Sequence, residues 1–212
     1  MKGASREMSR RYRVFRWVMI CLGRLLFGFT VHGAEKVPEK GPLIVASNHH
    51  QYPDPVLVCM AVPRRIQWMA KREVFIPPLD KFFYFIGAFP VDRQKGGRVA
   101  LRTALGFLSE GWALGIFPEG GRRKGGAPGE DAPKSGVVML SSRADAPIVP
   151  VFVDRVPNFL DRLRGHKLHV YVGYPIVSDG ASKERQGRRK VAGEVLRAIY
   201  GLKDEKITQV SH

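Results

Sequence analysis

From residue 12 to residue 30 the chain is apolar apart from a few arginines, and its polar and apolar positions separate with a helical period. At about 100° per residue, Arg13, Arg16 and Arg24 fall within an arc of about 80°, and Phe15, Val18, Leu22, Leu25, Leu26 and Phe29 gather opposite them. Such a helix is about 28 Å long, close to the roughly 30 Å of a bilayer's hydrocarbon core. Arg16 and Arg24 oppose a crossing, because an arginine at a helix centre costs roughly 2.5–3.5 kcal/mol on insertion. The pattern therefore predicts a helix lying in a membrane interface, its apolar stripe in lipid and its three arginines reaching phosphates. A helix docked on the protein's own core would show a similar stripe. A cleavable signal shares the charged start and apolar middle, but Arg24 interrupts that middle and no clear small-residue cleavage site follows.

Farther along, apolar runs of strand length alternate with helical ones. Residues 43–47 (Leu-Ile-Val-Ala-Ser), after Gly41-Pro42, read as a buried strand. Residues 65–69, 114–117, 148–153 and 167–172 read as further strands, the third interrupted by Pro150. Residues 98–109 carry Leu101, Leu105 and Leu108 at helical spacing, and 136–143 form a second helix. Residues 183–200 predict a basic, exposed helix, and the Gly-, Pro- and charge-rich stretch 120–134 a loop. The alternation implies an α/β fold, a central mixed sheet flanked by helices, with ligands bound on loops beside strand ends. The expected organisation is an anchoring segment, 1–35, and one domain, 36–212. There is no internal repeat and no G-x-G-x-x-G or G-x-x-x-x-G-K-[ST] phosphate loop.

Charge narrows the partners. The 212 residues include 35 Lys and Arg against 19 Asp and Glu, a formal net charge of +16. Such a surface attracts polyanions: nucleic acid, anionic headgroups, phosphorylated substrates or acidic carriers. The basic stretches at 122–124 and 183–190 permit a nonenzymatic binder, yet no RNA-recognition aromatic motif or zinc-finger spacing accompanies them. Cys21 and Cys59 match no metal or redox spacing and read as small buried hydrophobes.

The candidate chemistry follows the first predicted strand: Asn48-His49-His50-Gln51-Tyr52-Pro53-Asp54-Pro55. One continuous helix would set His49 and Asp54 about 140° apart, and the two prolines disfavour such a helix. A turn can fold the carboxylate back onto the imidazole, fixing its tautomer and leaving the other nitrogen to accept a proton. With no nucleophilic Ser or Cys in the run, that pair suits direct deprotonation of a substrate hydroxyl. A loop histidine beside a helix-capping aspartate is the plainer reading of the same residues. A metal site built from His49, His50, Asp54 and Glu119 uses legitimate ligands. Two further blocks carry arginines, Gly87-Ala88-Phe89-Pro90-Val91-Asp92-Arg93 and Phe117-Pro118-Glu119-Gly120-Gly121-Arg122. Amides on a Gly-rich turn can cradle an anion that an arginine grips with two bonds. Residues 146–151 are apolar and suit the core or an acyl pocket.

Taken in order, these blocks resemble the 1-acylglycerol-3-phosphate acyltransferase family, whose motifs run NHxxxxD, GxxxxxR, FPEGxR and a proline-containing apolar strand. The resemblance spans roughly residues 38–175 and includes Lys71 and the ending Val172-Gly173-Tyr174-Pro175. Gly121 departs from it, standing where members often carry Thr or Ser. The resemblance implies an O-acyltransferase moving a fatty acyl group from acyl-CoA or acyl-carrier protein to the free hydroxyl of 1-acylglycerol 3-phosphate, forming phosphatidic acid. Another lysophospholipid, glycerol phosphate or a different hydroxyl is the alternative acceptor. His49 would be the base and Asp54 its orienting carboxylate, with Arg93, Glu119, Gly120, Arg122 and Lys71 binding the acceptor. Glu119 would hold Arg122 or a glycerol hydroxyl. No metal or other cofactor is implied, and no nucleic acid. The partners would be membrane lipids and the acyl donor, and the location the cytoplasmic side of a membrane, peripheral or monotopic. The run also reads as HHxxxD, similar to condensation-domain and chloramphenicol-acetyltransferase-like enzymes, in which His50 would be the base. Pro55 stands where their motif normally has Gly, and those domains are usually about twice this length or lack the Glu-Gly-x-Arg block.

Overall fold

A computed structural model describes residues 8–91, 97–121, 135–177 and 185–209. The strands are β1 (Thr30–His32), β2 (Leu43–Ser47), β3 (Ile66–Lys71), β4 (Ala88–Val91), β5 (Ala113–Ile116), β6 (Ile148–Val153) and β7 (His169–Val172). The helices are α1 (Arg10–Phe27), α2 (Asp54–Ala61), α3 (Leu79–Phe85), α4 (Gly97–Ser109), α5 (Gly136–Ala144), α6 (Phe159–Leu163) and α7 (Arg185–Gln209). The strands form one seven-stranded sheet in the order β1-β7-β6-β2-β5-β3-β4. β2 through β6 run parallel, β7 is antiparallel to β6, and β1 is parallel to β7. The sheet is mixed, as the alternation of elements implies.

β2 lies at the middle of this sheet and shows why its sequence is apolar throughout. Leu43 and Val45 belong to the core on one face, Ile44 and Ala46 to the core on the other, and all four are fully buried. A central strand covered on both sides has no solvated face, so alternation disappears. The first face is covered by α1, α2 and α3, and the second by α4, α5 and α7.

Several sequence expectations need correction. α7 buries Ala192, Val195, Leu196 and Ile199 against the second core, so only part of its surface is exposed and basic. Cys59 is buried as expected, whereas Cys21 is exposed. α1 docks on the domain through Tyr12, Phe15, Met19, Ile20, Gly23 and Phe27. Its Arg16 does not face outward: Nε donates to Cys59 O at 3.1 Å and a terminal nitrogen to Met60 O at 2.7 Å. Those carbonyls end α2, where a cation meets the negative pole of the helix. Phe29 lies beyond α1 and is buried, not turned to lipid. Val14, Trp17, Val18, Leu22, Leu25 and Leu26 remain exposed, and so do Arg13 and Arg24. No described helix is long and apolar enough to cross a membrane. After α1, Gly28 turns the chain in a left-handed conformation (φ 61°), and β1 joins the sheet edge beside β7.

Candidate active site

At the C-terminal end of β2, Asn48 extends the ladder by one step with its side chain. Its Nδ2 donates to Val153 O at 2.8 Å, and its Oδ1 accepts from Val153 N at 2.7 Å. Both backbone groups of the last β6 residue are thereby satisfied, as buried peptide groups must be. The next residue, His49, places Nδ1 3.0 Å from Asp54 Oδ2. The same oxygen accepts from His50 N at 2.7 Å and Gln51 N at 2.8 Å. Asp54 is the first residue of α2, with Pro53 and Pro55 on either side. Proline is tolerated in a first turn, where its missing N–H has no intrahelical role. The prolines therefore start a helix at Asp54, and the five preceding residues form the turn that folds its carboxylate back. Gln51 Oε1 also accepts from Val156 N at 2.9 Å, tying this loop to the chain leaving β6.

A carboxylate oxygen that already takes two amide hydrogens is an acceptor toward the ring as well. Nδ1 then carries the proton and Nε2 presents its lone pair. The Asp54 side chain is 1% exposed and that of His49 17%, so the pair is buried on its carboxylate side and open at the imidazole. The ring is held from behind by stacking: His49 on Phe117 at 4.1 Å, and Phe117 on Trp68 at 5.0 Å, each at 17°. Trp68 donates its indole N–H to Cys59 Sγ at 3.2 Å and lies flat over Gly115, where any Cβ would come within 2.6 Å of three ring carbons. Trp68, Phe117 and Gly115 thus support the imidazole, a role that no local pattern in the sequence announces.

Glu119 lies in the turn after β5, and both its oxygens are engaged. Oε2 accepts from His49 N at 3.3 Å, and Oε1 accepts from the Tyr200 hydroxyl at 2.5 Å. Gly120 closes that turn with φ 75°, donating to Phe117 O at 2.9 Å. A residue with a Cβ is strained at this backbone angle. Lys71 is exposed at the C-terminal end of β3, the same end of the parallel strands that carries His49. Arg93 and Arg122 lie outside the described residues, as does most of the loop 120–134; β4 and β5, which precede the two arginines, end at Val91 and Ile116, at the same end of the sheet as His49. The imidazole of His50 faces Tyr200, edge to face at 6.2 Å, and only the backbone N–H of His50 reaches Asp54. Among the described residues no three His, Cys, Asp or Glu side chains are grouped to hold a metal.

The chain has clear relatives. It is 30% identical over 152 residues to the 1-acyl-sn-glycerol-3-phosphate acyltransferase of Bacillus subtilis (strain 168), covering 70% of this chain and 74% of that protein. It is also 30% identical over 136 residues to the human 1-acyl-sn-glycerol-3-phosphate acyltransferase beta, covering 62% and 48%. The crystal structure of the 1-acyl-sn-glycerophosphate acyltransferase from Thermotoga maritima superposes with a TM-score of 0.70 at 22% identity, covering 95% of this chain and 83% of that one, and so shares the fold. The sequence profile described as Acyltransferase matches residues 28–154, which take in both the strand leading to His49 and the turn holding Glu119. On that match, over more than half of its length, the chain belongs to the acyltransferase family.

Proposed function

We propose that the protein acylates the free hydroxyl of 1-acylglycerol 3-phosphate, using acyl-CoA or acyl-carrier protein as donor and releasing phosphatidic acid. The observation that carries this reading is the His49–Asp54 pair, in which a buried carboxylate holds a partly exposed imidazole at the end of the sheet. The acceptor hydroxyl gives its proton to His49 Nε2 as its oxygen attacks the thioester carbonyl carbon. The tetrahedral intermediate collapses, the carbon–sulfur bond breaks, and the imidazolium returns the proton to the departing thiolate. Asp54 holds the ring and stabilises its transient positive charge. Arg93, Arg122 and Lys71 are the cations proposed for the acceptor phosphate, and Gly120 shapes the turn that carries Glu119. Glu119 acts here through the His49 backbone. The names of the relatives support the choice of acceptor.

We place the reaction at a lipid leaflet, with the exposed apolar side of α1 entering it and Arg13 and Arg24 at the headgroups. A lysolipid keeps its acyl chain in the bilayer, so an enzyme lying on the leaflet need not extract it fully. The test is to incubate purified protein with acyl-CoA or acyl-carrier protein and a panel of lysolipids, and to identify products by mass spectrometry. Phosphatidic acid formed from 1-acylglycerol 3-phosphate is the expected result. Preferred acylation of a lysolipid lacking the phosphomonoester would overturn the acceptor, and no acyl transfer at all would overturn the activity.

A further inference from the structure

β6 ends at Val153 against Asn48, so the chain that follows emerges at the catalytic end of the sheet. It leads to α6, a short helix with its N-terminus locked. Asn158 Oδ1 accepts from Asp161 N at 2.8 Å, and Asp161 Oδ2 accepts from Asn158 N at 3.1 Å, the reciprocal capping box. Within its five residues α6 holds Phe159, Leu160 and Leu163 outward, 77%, 61% and 71% exposed. An ordered helix that presents three large apolar side chains to water gains nothing from them in the isolated chain, and clustered exposure of this kind marks a contact surface.

Two observations identify what that surface meets. First, it continues the outward face of α1. Arg162 Nε donates to Leu26 O at 3.1 Å, which sets α6 beside the end of α1, where Leu25 and Leu26 are also exposed. Second, the surroundings are cationic. A cavity of about 540 Å³ at the base of α6 is lined by Arg155, His166 and Lys167 together with Asp154 and Asp161. Asp161 is occupied by the capping box and Asp154 has Lys203 at 3.9 Å, while Arg155, Arg164 and Lys167 are exposed. An apolar wedge with a basic rim matches a leaflet of anionic phospholipid, whose acyl region and phosphates are stacked in that order.

We propose that α6 is a second lipid-contacting element beside the catalytic loop, with Phe159, Leu160 and Leu163 in the acyl region and Arg155, Arg164 and Lys167 at the phosphates of an anionic leaflet. This rests on the reading that the protein works at a leaflet, and it adds a contact separate from α1. Two contacts on one rigid body fix the tilt of the domain, so that the open side of His49 faces the headgroup plane instead of turning freely about α1.

The test uses the full chain and vesicles of phosphatidylcholine with phosphatidylglycerol. Phe159→Ser/Leu160→Ser/Leu163→Ser should keep the thermal midpoint and lower the vesicle partition coefficient by at least about tenfold. For depth, a nitroxide is placed on Leu160→Cys in a Cys21→Ser background, with Ser109→Cys, exposed at the last residue of α4 and so at the opposite end of the sheet, as control. On adding vesicles the label at 160 should become more accessible to oxygen and less to a water-soluble nickel chelate, and the label at 109 should not change. A label at 160 that stays as accessible to nickel as in solution would overturn the proposal. So would a triple variant that binds vesicles as wild type does, including one that converts a dimeric wild type to monomer, which would place a second copy on α6. In activity, the triple variant should keep acylation of a short-chain acceptor dispersed in water and lose acylation of an acceptor held in vesicles. If the wild type acylates neither, the enzymatic reading fails, while the depth measurement still decides the lipid contact.

Discussion

The Tyr200 hydroxyl lies 2.5 Å from Glu119 Oε1, and the other oxygen of that carboxylate accepts the backbone N–H of His49. Helix α7 thereby helps to hold the loop that carries His49. Tyr200 touches no reacting atom in this arrangement and is a positioning residue. Tyr200→Phe should lower kcat by roughly tenfold, since small misplacements of a reacting group are costly, and leave both KM values nearly unchanged. A lowered thermal midpoint with unchanged kcat would mean that the bond is structural only.

His49→Ala should lower kcat by roughly 10²–10⁴-fold, the usual loss with a general base, whereas His50→Ala should be mild. The reason is geometric, because Asp54 meets the ring of His49 and only the backbone of His50. The reverse ranking would favour His50 as the base. Asp54→Asn should lose activity and also stability, because its oxygen anchors two loop amides as well as the ring.

Gly115→Ala should damage a site it never touches. A Cβ there meets the Trp68 ring at 2.4 Å, and Trp68 backs Phe117, which backs His49. Overpacking of this kind costs about 1–3 kcal/mol, and relieving it shifts the stack. The expected outcome is a lower unfolding midpoint in denaturant together with reduced kcat. Loss of stability with full kcat would show that the stack does not position the imidazole.

The arginines of α1 should behave differently from one another. Arg24→Ala should weaken binding to anionic vesicles by about 1 kcal/mol, an effect that salt removes. Arg16→Ala should leave vesicle binding nearly intact and lower the thermal midpoint instead, because two carbonyls at the end of α2 lose their donor. Co-sedimentation at two salt concentrations and a melting curve distinguish the two variants. High salt should release wild type incompletely, whereas Leu22→Asp/Leu26→Asp should release most of it.

The two thiols should also separate. Cys59 is buried, and that burial pushes its pKa up, so the folded protein keeps it protonated; Cys21 is exposed. A thiol-specific reagent should modify one cysteine in the native protein and two after denaturation. The unfolded chain ionises Cys59 at lower pH than the folded protein does, so its burial contributes to stability only while the thiol stays protonated. This contribution is therefore complete below the unfolded pKa and is lost as pH rises toward the folded one. Rapid native labelling of Cys59 would contradict its burial.

What the sequence determines alone is whatever rests on local periodicity and short spacing. Leu43–Ser47 and Ile148–Val153 are legible as strands because continuous apolar runs of that length suit a sheet covered on both faces. The turn from His49 to Asp54 is legible because prolines on both sides of the aspartate prevent one helix through both residues. α2 and β4 were not legible: α2 is apolar nearly all round and short, and β4 has four residues including Pro90. The helical wheel of α1 separates two faces but assigns Arg16 to lipid phosphate. Burying that guanidinium needs two free carbonyls at the end of α2, forty-three residues away, which no wheel contains. Glu119 bonds to Tyr200 across 81 residues, Asn48 to Val153 across 105, and α6 to the end of α1 across 136. Hydrogen bonds between residues so far apart depend on which strand ends the sheet order brings together, and strand order is settled by the packing of the whole chain.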